Sequence, residues 1–203
     1  MSSAVRHDVE VLGDPASAAA VLDPLRSRIL RALSRPGSAT TVARDLGETR
    51  QKVNYHLRTL ERHGLVRLVD ERPRRGLTER MMEASAEAYV VGPDALGPLA
   101  VDPERTDRLS SRYLLAVAGR LISEVGRLAR AADEAGKPLP TLTIDTEVRF
   151  ADADSRAAFT HELAAAVTEL VARHHDEDAP DGRWHRLIVA AHSRPPTPEE
   201  DTP

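Results

Sequence analysis

Three features set the fold class: apolar stripes at helical spacing between residues 23 and 63, a two-strand pattern around a basic turn just after them, and a strand–helix–strand pattern towards the C-terminus. Together they predict an α+β chain. Residues 15–91 have the element order of a winged helix-turn-helix, and residues 104–192 are expected to form a C-terminal α-β-α-β domain containing a long dimerisation helix. Residues 193–203, SRPPTPEEDTP, read as a disordered tail.

The elements follow in order. In DPLRSRILRALS, residues 23–34, Leu25, Ile29, Leu30 and Leu33 share one face, with Asp23 as N-cap and Pro24 at the first helical position. Pro36-Gly37 ends this helix. A short second helix over 40–46 turns Val42, Ala43 and Leu46 inward, and Gly47 suits the tight turn after it. Thr49 caps a third helix, RQKVNYHLRTLERHG, whose buried stripe is Val53, Leu57 and Leu60, and Gly64 stops it. Two extended runs, VRLVDE and TERMMEA, flank the turn RPRRG and predict a hairpin with Arg74 and Arg75 at its tip.

Residues 92–103, with three prolines and two glycines, read as a linker. Beyond it, 104–135 reads as one helix, in which Leu114, Ala118, Leu121, Val125, Leu128 and Ala132 recur at spacings of four and three. Leu142, Ile144, Val148 and Phe150 alternate along a strand over 141–151. A helix over 153–175 buries Phe159, Leu163, Val167 and Leu170, and a second strand spans 184–191.

The 203 residues are 41% hydrophobic and 30% charged, enough to build a core, which the 3% of aromatics leaves mainly to aliphatic side chains. With no cysteine, disulfides, thiolate metal sites and cysteine nucleophiles are excluded, in keeping with a cytoplasmic protein. No apolar run approaches the ~20 residues that a bilayer crossing needs, so no membrane partner is expected. The net charge of −4 hides an asymmetry. Residues 21–82 hold 14 basic and 7 acidic side chains, whereas residues 83–203 hold 13 and 22. A basic segment joined to an acidic remainder suggests that the first part meets a polyanion.

A helix fits the major groove of B-DNA, and a short preceding helix braces it. With Val53, Leu57 and Leu60 inward, the third helix presents Arg50, Gln51, Asn54, Tyr55 and Arg58, side chains suited to base edges or phosphates. Thr49 at its start and His56 complete the expected contacts in the helix, His56 being equally suited to packing on the first helix. Arg72, Arg74 and Arg75 in the hairpin would add affinity through the neighbouring backbone or minor groove.

These residues also carry a resemblance. LDPLRSRILRALS, TTVARDLGETRQKVNYHLRTLERHGLVRLVDE and RRGLTERMMEASAEAYVV, within residues 15–91, resemble the ArsR-like winged helix-turn-helix transcriptional regulators. The resemblance implies a homodimer that binds a pseudo-palindromic operator in double-stranded DNA, usually as a repressor, with Arg50–His63 as the recognition helix. His56 stands at the histidine position usual in that helix. The chain departs from the metal-sensing members, which use Cys or clusters of His and acidic residues at the dimer interface, and its C-terminal half is much longer. A metal effector therefore does not carry over, and no cofactor is expected. A small-molecule effector is a candidate ligand of the C-terminal part, between the 142–150 strand face and the long helix.

Other chemistry finds little support. In His174-His175-Asp176-Glu177-Asp178 the adjacent histidines point ~100° apart on a helix and suit a solvated end better than one metal ion. His161-Glu162 begins like a zinc-hydrolase helix, but Ala165 stands where its second histidine belongs. There is neither a glycine-rich phosphate loop nor a nucleophile elbow, and no enzyme is expected. The rival reading is a winged-helix module that docks on a protein, or a DNA binder without sequence preference.

Overall fold

The computed structural model describes residues 6–74, 77–107 and 110–194, with the backbone alone for Arg74 and Leu77. The chain divides into two compact units, the first running to Pro140 and the second starting at Thr141.

The first unit opens with strand β1 (His7–Leu12) and helix α1 (Pro15–Leu22), whose N-cap Asp14 accepts from the Ala16 and Ser17 amides at 3.2 and 2.7 Å. Helix α2 (Pro24–Ala32) begins in the same way, with Asp23 as cap and proline at the first position. Helix α3 (Ala39–Leu46) is capped by Ser38 and closed by Gly47 at φ 68°, a left-handed conformation that favours glycine. Helix α4 (Arg50–Arg62) follows three residues after α3, with Thr49 accepting from the Lys52 amide. Strands β2 (Val66–Arg74) and β3 (Leu77–Ala84) form an antiparallel hairpin with an irregularity between Leu68 and Asp70. The expected helices and hairpin strands are thus present, and of the expected inward residues Ile29, Leu33, Val42, Val53 and Leu60 are at most 2% exposed.

Two strands had no counterpart in the sequence reading. Strand β4 (Ala86–Val91) pairs in parallel with β1, from His7 opposite Ala86 to Leu12 opposite Val91. Tyr89 ties this pair to the wing: its hydroxyl donates to the Leu65 carbonyl at 3.0 Å and lies 3.1 Å from Ser85 Oγ. Burial pushes the Tyr89 phenol up from its ordinary range.

The expected linker is largely structured, with 3₁₀ turns at Pro93–Leu99 and Pro103–Arg105. The long helix, α5 (Ser111–Ala135), belongs to the first unit, because a narrow face of small residues seats it on β1. Ala116 and Ser123 on this face are buried, Gly119 lies against Pro93, and Gly126 lies against Val11 of β1. Ion pairs join the same elements, Arg130 with Glu10 at 2.6 Å and His7 with Asp133 at 3.0 Å. The larger apolar side chains of α5, among them Leu121, Val125 and Leu128, point away from this seat and are exposed.

The second unit contains helix α6 (Ala153–His174), capped by Asp152, whose carboxylate accepts from the Ser155 amide at 2.7 Å. The two strands expected over 141–151 and 184–191 are not formed. Both segments carry the alternation of a strand, but neither joins a sheet among the described residues. Alternation selects a face only once a neighbour completes the ladder, and none is in place. The α-β-α-β arrangement is therefore corrected: α5 sits with the N-terminal unit, and α6 is flanked by two chain segments without ladders. Phe150 packs on Phe159 with ring centroids 5.2 Å apart, yet no described residue of this unit is buried. Most of the expected tail, residues 195–203, lies outside the described residues.

Candidate nucleic-acid interface

Helix α4 owes its orientation to the contrast between its two sides. Val53, Leu57 and Leu60 are held in the core, which leaves Arg50, Gln51, Asn54, Tyr55 and Arg58 exposed on the opposite side. Tyr55 is 67% exposed, much for an aromatic side chain with no core to fill. Among the described residues Arg50 makes no ion pair, and Arg58 acts only through space, by lowering the Glu61 carboxyl. Lys52, on the flank, is drawn back to Glu48 at 3.0 Å. Glu48 also lies 3.8 Å from Arg28, whose guanidinium donates to the Leu46 carbonyl and so braces the turn between α3 and α4.

His56 does not join the open face. It is half-buried on the side turned towards α2, with Tyr55 edge-on to its ring at 5.4 Å. The Asp23 carboxyl at the start of α2 is held below its ordinary range chiefly by the Arg26 amide. The His56 Nδ1 is buried with no hydrogen-bond partner among the described residues. His56 is thus half-buried, while Thr49, Arg50, Gln51, Asn54, Tyr55 and Arg58 are exposed.

A residue outside the sequence-based set fixes the wing against the helix. Arg80 of β3 makes a two-pronged contact with Glu61 of α4, Nη2 to Oε1 at 2.6 Å and Nη1 to Oε2 at 3.1 Å. The hydrogen bond from Arg80 holds the Glu61 carboxyl below its ordinary range, and the same bond raises Arg80. Between helix and wing lies a shallow cleft lined by Thr40, Arg50, Asn54, Arg58 and Arg80. The signal for Arg80 was a single arginine in TERMMEA; only the fold places it opposite Glu61, nineteen residues earlier.

The wing arginines differ among themselves. Arg72 is exposed, but its Nε donates to Asp70 at 2.7 Å, a bond that lowers the Asp70 carboxyl and spends part of the charge within the strand. Arg75 and the Arg74 side chain lie outside the described residues. Thr49 remains exposed at the start of α4, its hydroxyl serving as the cap.

Residues 21–69 match the family model described as a helix-turn-helix domain, a span that begins before α2 and ends within β2. The chain carries a helix-turn-helix. The match supports that motif and does not extend to the ArsR-like regulators in particular. Among solved structures, NolR from Sinorhizobium fredii is similar at 20% identity over 36% of this chain and 68% of that one, with a TM-score of 0.30. No curated protein matches the chain. No described helix is long and apolar enough to cross a membrane.

Proposed function

We propose that this protein is a sequence-specific DNA-binding transcription regulator that acts as a homodimeric repressor. One observation carries the reading. The helix that follows the turn of a helix-turn-helix buries an entire aliphatic face and presents Arg50, Gln51, Asn54 and Arg58 together to solvent. Arginine matches the acceptors of guanine, and asparagine and glutamine match the donor–acceptor pair of adenine. The balance of +7 over residues 21–82 favours a polyanion as the partner.

The homodimer rests on the exposed apolar stripe of α5, Leu121, Val125 and Leu128, whose opposite side is already occupied by β1. Two copies related by a twofold axis would present two α4 helices to two half-sites, as helix-turn-helix dimers do.

Selection from a random duplex library, with the winners titrated at two salt concentrations, tests the reading. The expected result is an enriched inverted repeat whose affinity falls steeply with salt. Salt-sensitive binding without enrichment would make the protein a non-specific DNA binder. No binding at either salt would favour the rival protein-docking module.

A further inference from the structure

We propose that the second unit is half of a split β-α-β sheet, completed by the same unit of a second copy, so that each copy's residues 141–150 enter the other's sheet. The inference rests on the homodimer proposed above and adds a second, separate contact to it.

Residues 141–150 run without turn, bend or helix, and no backbone hydrogen bond joins them to any described residue. One side carries Leu142, Ile144 and Val148, which are 84, 81 and 52% exposed. The other side carries Thr143, Asp145, Glu147 and Arg149, so the segment has the sequence pattern of a strand with one dry face, which is unpaired within the single chain. Backbone groups beneath a dry face need ladder partners.

The geometry of the unit indicates the partner. A helix between two extended segments is the crossover that brings two strands of one sheet parallel. Here Arg194 Nη1 reaches Glu147 Oε2 at 3.6 Å, so the segments on either side of α6 come within reach of two long side chains. They nevertheless exchange no ladder bond. Adjacent strands lie about 4.8 Å apart, and in the proposed arrangement the two segments stand about twice that apart, leaving a slot one strand wide. Split β-α-β sheets have this form, with the strand of another half between the two parallel ones. A second copy has the strand that fills the slot and an identical slot to be filled.

The charges suggest a register. If the two copies of 141–150 pair antiparallel about Glu147, each Asp145 stands opposite Arg149 of the other copy, giving two opposite-charge pairs. The Glu147 side chains that then face each other are each accompanied by Arg194.

Because the chain has no cysteine, one introduced thiol reports this contact cleanly in the full-length protein. Under mild oxidation Glu147→Cys is expected to convert almost wholly to a covalent dimer, because directly opposed residues lie within the reach of a disulfide. Thr143→Cys, which meets its counterpart only at a distance, should stay reduced. Asp145→Arg should lower the yield from Glu147→Cys, and adding Arg149→Asp should restore it. A non-covalent dimer with no cross-link at 147, or with equal cross-linking at 143 and 147, overturns this contact and leaves the α5 dimer standing. A monomer at every concentration overturns both, while duplex binding remains a separate measurement.

Discussion

Gly126 of α5 leaves no room for a side chain beside Val11 of β1: a Cβ there would stand 2.3 Å from Cγ2 and 2.6 Å from the valine Cβ. The valine is held on a backbone that is itself paired to β4, so it cannot simply swing away. Gly126→Ala would therefore lift α5 from its seat or distort β1. A loss of about 1–3 kcal/mol is expected, the usual range for overpacking, despite the better helix propensity of alanine. Thermal unfolding checks this, and an unchanged midpoint would mean that α5 does not rest on β1.

The Arg80–Glu61 contact should make part of the wing's attachment depend on pH. Glu61 is held below its ordinary carboxylate range in the folded chain, so its contribution is present above the unfolded value and fades as pH falls through the folded one. Both side chains are more than a third exposed, at 46 and 36%, and solvent limits the effect to about 0.5–1 kcal/mol. Glu61→Gln should thus be less stable than the parent to urea at pH 7 and equal to it well below pH 4. A deficit that persisted in acid would place the loss in packing instead of charge.

The DNA-reading half was legible in the sequence because its signals are local. Asp23-Pro24, Gly47, Thr49 and Gly64 each mark a helix end by their own chemistry, and the stripe from Val53 to Leu60 lies within one helix. The β1–β4 pair was not legible, because its strands lie more than seventy residues apart and Val9, Val90 and Val91 remain partly exposed, which blurs the alternation. The α5 seat was misjudged for a different reason. Leucine and valine spacing marks the exposed stripe, while the side that packs within the chain is made of Ala116, Gly119, Ser123 and Gly126. Glycines such as Gly119 and Gly126 signal close packing in a sequence, but small residues bury little area and do not say which element they meet, a second helix or β1.

Asn54 and Arg50 should behave differently from the wing in binding experiments. Both line the cleft between α4 and the hairpin, and neither takes part in the core. Replacing either by alanine should relax base preference at one operator position by about 1–3 kcal/mol and leave the unfolding midpoint nearly unchanged. Replacing Arg72 should instead weaken binding to every duplex alike. That effect should be small, because Arg72 is already engaged with Asp70. Titrations against the selected operator and single-base variants separate the two patterns, and a uniform loss for Asn54→Ala would remove it from the reading set.

The exposed stripe of α5 provides the sharpest test of self-association. Leu121 and Val125 lie one turn apart on the side of the helix away from β1 and are 43 and 38% exposed, so aspartate at either position can be solvated in a single chain. In a dimer seam the same aspartate would be an unpaired charge at the centre of an apolar contact, which typically costs several kcal/mol. Leu121→Asp should therefore leave helix content and unfolding of the isolated chain close to the parent while raising the dimer dissociation constant by a hundredfold or more, since each 1.4 kcal/mol is tenfold. Sedimentation over a range of concentrations measures this. Operator affinity should fall with dimerisation, because a monomer holds one half-site only, and single half-site binding at high protein concentration should persist. A Leu121→Asp protein that sedimented as a dimer at parental concentrations would show that the stripe is not the seam.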